Sequence, residues 1–162
     1  MYLMDANIFF EAMNRYYESS ICPGFWVWMN KECQNRNIAS VRPVYDEIRE
    51  DKRFTTIIHN IADIFLDISD ANTVDAYSNV VNYVNRNNVY TRENKDKFMN
   101  GADPWLIAKA MTTGYVLVTH EQLVPPDSKK VKIPNICKYF GVTYCNTFDV
   151  LRKLNAKFVL NN

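Results

Sequence analysis

The sequence has few of the residues on which several common site types depend. Its 162 residues include only 2 histidines and 4 cysteines, and no two cysteines stand in a C-x-x-C arrangement. A zinc site is therefore not expected. We expect Cys22, Cys33, Cys137 and Cys145 to be free thiols in a reducing compartment.

Long apolar runs and several familiar sequence signatures are also missing. No apolar stretch approaches the roughly 20 residues that a membrane-spanning helix needs, and no basic segment leads into an apolar one as in a signal peptide. Phosphate-binding loops of the G-x-x-x-x-G-K-[ST] and G-x-G-x-x-G types are absent, as are G-x-S-x-G and H-E-x-x-H. These absences predict a cytoplasmic protein without a nucleotide loop, a serine nucleophile or a zincin site.

The composition that remains is that of an ordinary globular domain. Hydrophobic residues make up 48% and charged residues 23% of the chain, while glycine occurs only 4 times and proline 6 times. This balance excludes a disordered or low-complexity chain. The length predicts a single domain over residues 1–162.

The charge is distributed unevenly along the chain. Residues 1–81 carry 7 basic and 12 acidic side chains, whereas residues 82–162 carry 12 basic and 6 acidic ones. This asymmetry is compatible with two ordinary solvated faces. It also fits an acidic cluster beside a basic surface, as an enzyme acting on a polyanion requires.

Short apolar runs alternate with stretches of helical periodicity. Buried strands are predicted at residues 2–4, 38–40, 116–119 and 142–145, and the run 65–68 is ambiguous. Helices are predicted over residues 7–17, 25–35, 42–51, 54–62, 70–84, 103–113, 134–140 and 148–155, with a shorter one after Thr91. This alternation predicts an α/β fold with a central parallel sheet of four to five strands and helices on both faces.

Four carboxylates are predicted to lie near the carboxyl ends of these strands, where parallel sheets bind ligands. Asp5 and Glu121 follow two of the strands, Glu47 lies on the helix after another, and Asp103 opens a helix before Pro104. Clustered carboxylates repel each other unless a cation joins them. A hard divalent ion such as Mg²⁺ takes oxygen ligands and fits such a cluster.

Each of these acids also has an ordinary structural interpretation. Asp5 and Asp103 are suitable helix caps, as is Asn7. Glu47 is compatible with a solvated helix surface, and Glu121 with a loop. The cluster is better supported than any single member, because placement at strand ends recurs independently.

Segments along the whole chain resemble the PIN-domain family, the small Mg²⁺-dependent nucleases of many bacterial toxin–antitoxin systems. The segments that carry this resemblance are MYLMDANIFFEAMNRYY, CPGFW, VYDEI, GADPWLIAKA, VLVTHE, KKVKIPNICKYFGV and NTFDVLRKLNAKFVL. The resemblance implies a PIN-like three-layer α/β/α sandwich. It also implies a metal-dependent endoribonuclease with Mg²⁺ or Mn²⁺ as cofactor.

The resemblance assigns roles to residues that match the family's pattern. The implied catalytic and metal-binding residues are Asp5, Glu47, Asp103 and Glu121, and the implied accessory residues are Asn7, Thr119 and Glu11. Glu121 departs from the pattern, because most PIN domains carry an aspartate there.

Phosphate contacts are predicted for basic residues near the acids. The segment from Lys129 through Lys130 to Lys132 suits such contacts, and Arg15 beside Tyr16 is a further candidate for RNA binding. A solvated loop and a packed helix face are the ordinary alternatives.

The resemblance also implies an RNA substrate, a toxin of a type II system, a cognate antitoxin protein and a homodimer. The aromatic group of Phe25, Trp26 and Trp28 is predicted to pack in the core, or else to form a groove for such a partner. A catalytically weak PIN-like module that binds RNA or protein is the alternative function. A phosphatase with Asp5 as nucleophile is disfavoured, because Asn7 stands where such enzymes carry a second aspartate.

Overall fold

Five parallel strands form one central sheet in the computed structural model, which describes residues 1–159. The strands within this range are β1 Tyr2–Met4, β2 Ile38–Val41, β3 Phe65–Leu66, β4 Val116–Val118 and β5 Tyr144–Cys145. Their spatial order is β3-β2-β1-β4-β5. The predicted α/β class and the parallel sheet are therefore confirmed.

Helices cover both faces of this sheet. Within residues 1–159 they are α1 Ala6–Glu11, α2 Pro23–Gln34, α3 Arg42–Ile48, α4 Thr55–Asn60, α5 Ala71–Arg86, α6 Arg92–Asn100, α7 Asp103–Thr113, α8 Ile133–Phe140 and α9 Thr147–Lys153. Helices α1 and α3 contact each other, and α7 contacts α5, α6 and α8. Right-handed crossovers place the first group on one face and the second group on the other, which gives a three-layer arrangement.

Strand β1 lies at the centre of the sheet, and its two neighbours determine where a ligand can bind. Leu3 and Met4 are fully buried, and β1 pairs with β2 on one side and with β4 on the other. The chain leaves β1 toward one face and leaves β4 toward the opposite face. The carboxyl ends of these neighbouring strands therefore form a topological switch point, where open α/β sheets bind their ligands.

Two helices end at glycine as the sequence predicts. Gly114 follows α7 with φ of 71°, and Gly141 follows α8 with φ of 69°. Both lie in the left-handed region, which glycine adopts without the steric cost that a Cβ imposes.

Several predicted details are wrong. The helix predicted over residues 7–17 stops being α-helical at Glu11 and continues as a π-helix, Ala12–Tyr16. The strand predicted over residues 142–145 is ordered as a strand only in its second half. The sequence predicts Thr147 as the cap of the last helix, but the cap is Asn146. Asn146 and Asp149 form a reciprocal capping box.

The aromatic group on α2 lies mainly in the core. Phe25 is fully buried and Trp26 is nearly so, while Trp28 is half-buried. Core packing, the first of the two predictions for this group, is confirmed for Phe25 and Trp26. In residues 1–159 we find no helix long and apolar enough to span a membrane.

Candidate metal centre

Asp5 is a buried carboxylate at the carboxyl end of β1. Its side chain is only 1% exposed. Its Oδ2 atom accepts a hydrogen bond of 2.9 Å from the Thr119 hydroxyl, which follows β4. Its Oδ1 atom accepts a longer bond of 3.4 Å from the Asn7 backbone amide, so Asp5 also caps α1. Burial raises the pKa of Asp5 to about 6, although both hydrogen bonds act in the opposite direction.

Asp103 is the first residue of α7 and does not cap it. The capping position belongs to Ala102, which makes no side-chain bond, so the predicted capping role of Asp103 is wrong. Burial raises the pKa of Asp103 well above its usual value, and the negative charges of Asp5, Glu121 and Glu47 raise it further. The other three predicted acids therefore lie close enough to Asp103 to act on it electrostatically.

Glu47 reaches this region from α3. Its Oε1 atom accepts a hydrogen bond of 2.8 Å from the backbone amide of Ala102, immediately before α7. A Cβ at Gly101 would lie 3.4 Å from Glu47 Oε1, which is an ordinary van der Waals distance, so this approach does not require glycine. One Glu47 oxygen is thus occupied by the start of α7, where backbone amides favour negative charge.

Glu121 is also held by protein groups. Its Oε1 atom pairs with Lys132 Nζ at 2.5 Å, and its Oε2 atom accepts a hydrogen bond of 2.8 Å from the Ile133 backbone amide. Both interactions tie the loop after β4 to the start of α8. Lys132, predicted to contact RNA phosphate, is therefore engaged with Glu121.

The four acids divide into two groups. The inner pair, Asp5 and Asp103, forms no ion pair among residues 1–159, although the charge of Lys132 acts to lower the pKa of Asp103. The outer pair, Glu47 and Glu121, is balanced by backbone amides and by Lys132. The raised pKa values in the inner pair come first from burial and then from neighbouring negative charge, and a bound cation would relieve both.

The donor set fits a hard divalent ion. Across residues 1–159, no three acidic, histidine or cysteine side chains come together as ligands of one ion. Mg²⁺ does not require three, because it keeps several waters and commonly binds only one or two carboxylates directly. The two inner carboxylates are the candidates for direct contact with such an ion, and the two outer ones are the candidates for contact with its waters.

The remaining predicted site residues differ in whether they contact the acids directly. Thr119 is buried and directly orients Asp5. Asn7 is exposed, but its side-chain amide lies 3.4 Å from Asp5 Oδ2. Glu11, at the end of α1, is half-buried, and its accessory role stays a prediction. The last predicted set lies exposed on the surface: Lys129, Lys130 and Arg15.

Two supporting contacts were not predicted from the sequence. Ser40 is fully buried and its hydroxyl donates a 2.7 Å hydrogen bond to the Met4 carbonyl, which fixes the end of β1 against β2. His120 Nε2 lies 3.0 Å from the Thr147 hydroxyl. A serine in an apolar strand was the available signal for the first contact, whereas no local pattern marks the second.

Comparison with known families places the chain in one of them. The model of the family described as "Domain of unknown function (DUF4411)" matches residues 2–158, so the chain belongs to this family. Searches of curated proteins and of solved structures found no match.

Proposed function

We propose that the protein is a PIN-like endoribonuclease that depends on Mg²⁺ or Mn²⁺. The observation that carries this proposal is the inner pair, two acids that form no ion pair within residues 1–159, one of which, Asp5, follows β1 at a topological switch point. The order of the sequence segments that resemble PIN domains supports the same class of nuclease. The electrostatics add support, because the acids that this resemblance implies as catalytic are the ones whose charges act on Asp103.

The proposed chemistry assigns a role to each acid. A divalent ion at the inner pair would supply a Lewis acid and lower the pKa of water near the phosphodiester. Asp5 and Asp103 would hold this ion, with Thr119 fixing the orientation of Asp5. Glu47 and Glu121 would orient water through the oxygen lone pairs that their backbone partners leave free.

Exposed basic residues support RNA as the substrate. Arg15 is exposed on the π-helix that continues α1, and Lys129 and Lys130 are exposed on the loop before α8. Contacts of this kind bind phosphate without reading sequence. We therefore expect binding to weaken as the salt concentration rises.

The biological setting follows from the resemblance alone. We propose that the nuclease is the toxin of a type II toxin–antitoxin system, that a small antitoxin protein neutralises it, and that it forms a homodimer. The measurement for these three proposals is co-purification with the product of the adjacent gene, followed by determination of the mass of the complex in solution.

The enzymatic proposal is tested by cleavage of a mixed pool of structured and single-stranded RNA. We expect purified protein to cut this pool with Mn²⁺, and we expect no cutting with EDTA or with Asp103→Asn. Asp75→Asn is the matched control, because Asp75 is an exposed acid on α5. Asp103→Asn that stays folded and cuts at the wild-type rate would refute the site assignment.

One observation favours a second function. Lys132 neutralises Glu121, the acid that departs from the PIN pattern, and this weakens the case for a four-acid metal site. A non-catalytic module that binds RNA or protein would tolerate that pairing. Absence of Mn²⁺ binding by well-folded protein would favour this module over the enzyme.

A further inference from the structure

Three aromatic rings from distant parts of the chain form an exposed cluster beside the acids. This aromatic triad consists of Tyr16, His120 and Phe148. The ring centroids of Tyr16 and Phe148 lie 5.7 Å apart, and His120 lies 6.2 Å from Tyr16 and 6.1 Å from Phe148. Tyr16 is 48% exposed and Phe148 is 38% exposed, while His120 is half-buried. Single exposed aromatic residues are common, whereas neighbouring exposed ones favour a binding surface.

The triad is joined directly to the candidate metal centre. His120 lies between Thr119 and Glu121 in the chain. The Thr119 hydroxyl donates to Asp5, and it accepts a 3.1 Å hydrogen bond from the Glu121 backbone amide. The His120 ring is therefore carried by the same turn that orients Asp5.

The triad rings also contact residues outside the triad, including Tyr17, whose ring centroid lies 6.2 Å from that of Tyr16. The Thr147 hydroxyl fixes His120 at 3.0 Å, and Phe148 follows Thr147 in the first turn of α9. Beside Tyr16, Tyr17 stacks on Phe25 with ring centroids 4.2 Å apart. A preorganised aromatic surface binds a flat ligand with little loss of side-chain freedom.

We propose that the aromatic triad stacks an unpaired base of single-stranded RNA next to the phosphate bound at the inner pair. This inference rests on the proposed nuclease function and specifies its substrate. Arg15 precedes Tyr16 and is exposed, so a cation for the neighbouring phosphate lies beside the ring. Every base has a face that can stack, which gives affinity without strong sequence preference.

Duplex RNA does not offer the same contact. Its bases are stacked on one another and their faces are covered, whereas bases in single strands and loops are free to stack on aromatic side chains. The triad therefore selects unpaired RNA over duplex RNA at the same charge.

The test is a binding assay in EDTA, so that it does not depend on cleavage. The probes are a short single-stranded RNA with one 2-aminopurine and the same strand in a duplex. We expect 2-aminopurine fluorescence to be quenched by the wild type. Tyr139→Ala, the matched control, removes an exposed ring outside the triad and should behave like the wild type. Tyr16→Ala and Phe148→Ala should each weaken binding of the single strand about tenfold.

The outcomes separate this inference from the nuclease proposal. RNA cleavage by a protein whose single-strand binding and quenching are unchanged in both alanine variants would overturn the triad alone. Triad-dependent binding by a protein that cuts no RNA would support the triad and refute the nuclease. Equal affinity for duplex and single strand, or a triad that drives self-association instead of RNA binding, would overturn the inference. Melting curves of both variants show that the fold is intact.

Discussion

The inner and outer acid pairs lie in one rim but have opposite electrostatic environments. Asp5 and Asp103 are acids whose pKa values are raised by burial and by neighbouring negative charge. Glu47 and Glu121 instead accept hydrogen bonds from backbone amides, and Glu121 pairs with Lys132. The first pair forms no ion pair in residues 1–159, whereas each acid of the second pair accepts a hydrogen bond from a backbone amide.

The two environments have different consequences, one for the stability of the fold and one for metal binding. Carboxylates that accept backbone hydrogen bonds stabilise the helix starts that they contact. Carboxylates that stay close together without such partners store electrostatic repulsion, which a divalent ion would remove. We infer that the outer pair fixes the geometry and that the inner pair binds the ion.

The largest expected effects are losses of RNA cleavage when each of the four acids is replaced by its amide. Mutation of a residue that supports a metal ligand typically lowers activity by about 10–100-fold. Replacing a direct ligand should cost more, so Asp5→Asn and Asp103→Asn should each lower RNA cleavage by more than about 100-fold. Glu47→Gln and Glu121→Gln should each lower it by about 10–100-fold. Initial cleavage rates at saturating Mn²⁺ measure both effects.

The control for this series is Glu50→Gln. Glu50 is exposed just after α3, close in sequence to Glu47, and its loss should leave cleavage unchanged. If the glutamine variants of the outer pair were as inactive as the inner variants, the division between the pairs would be wrong.

A smaller effect is expected on stability as the pH changes. The pKa of Asp5 is about 6 in the folded protein, against about 3.9 in an unfolded chain. The folded state then holds this proton more tightly, so its contribution to stability is full below about pH 4 and is lost as the pH rises to about 6. For the metal-free protein the loss is on the order of 3 kcal/mol.

Urea unfolding in EDTA between pH 4 and pH 7 measures this contribution. The free energy of unfolding should fall less between pH 4 and pH 7 in Asp5→Asn than in the wild type, because this variant lacks the Asp5 carboxyl. In Asp75→Asn it should fall as steeply as in the wild type. A wild-type slope in Asp5→Asn would mean that Asp5 is not held in the environment described here.

The smallest expected effect concerns the support of the inner pair. Thr119→Val deletes the hydroxyl that donates to Asp5 and accepts from the Glu121 amide. Loss of a buried hydrogen bond to a carboxylate should reduce the free energy of unfolding by about 1–3 kcal/mol. Thr119→Ser keeps the hydroxyl and should lose less. A loss in Thr119→Ser that is larger than the loss in Thr119→Val would instead assign the effect to packing of the Thr119 methyl group.

The fold was predictable because its signals are local. The buried strand at residues 116–118 is an uninterrupted apolar run, and the end of α7 is marked by Gly114. The π-helix was not predicted, and β5 is shorter than the strand predicted over residues 142–145. Periodicity records which face is buried, but not how one turn adjusts to its neighbours.

The site was predictable as a set of acids but not as two pairs. Placement after strand ends identified Asp5 and Glu121, because parallel strands bring such positions to one edge. The partner of each acid was not accessible from the sequence. Lys132 is 11 residues from Glu121, and Ala102 is 55 residues from Glu47, so only the folded chain shows which acids are already satisfied.

The most direct test of this account is calorimetric titration of the metal-free protein with Mn²⁺. We predict specific binding by the wild type and by Glu50→Gln, with affinity reduced more than about 100-fold in a folded Asp103→Asn variant. Equal Mn²⁺ affinity in Asp103→Asn and in the wild type would contradict the assignment of the inner pair as the metal site.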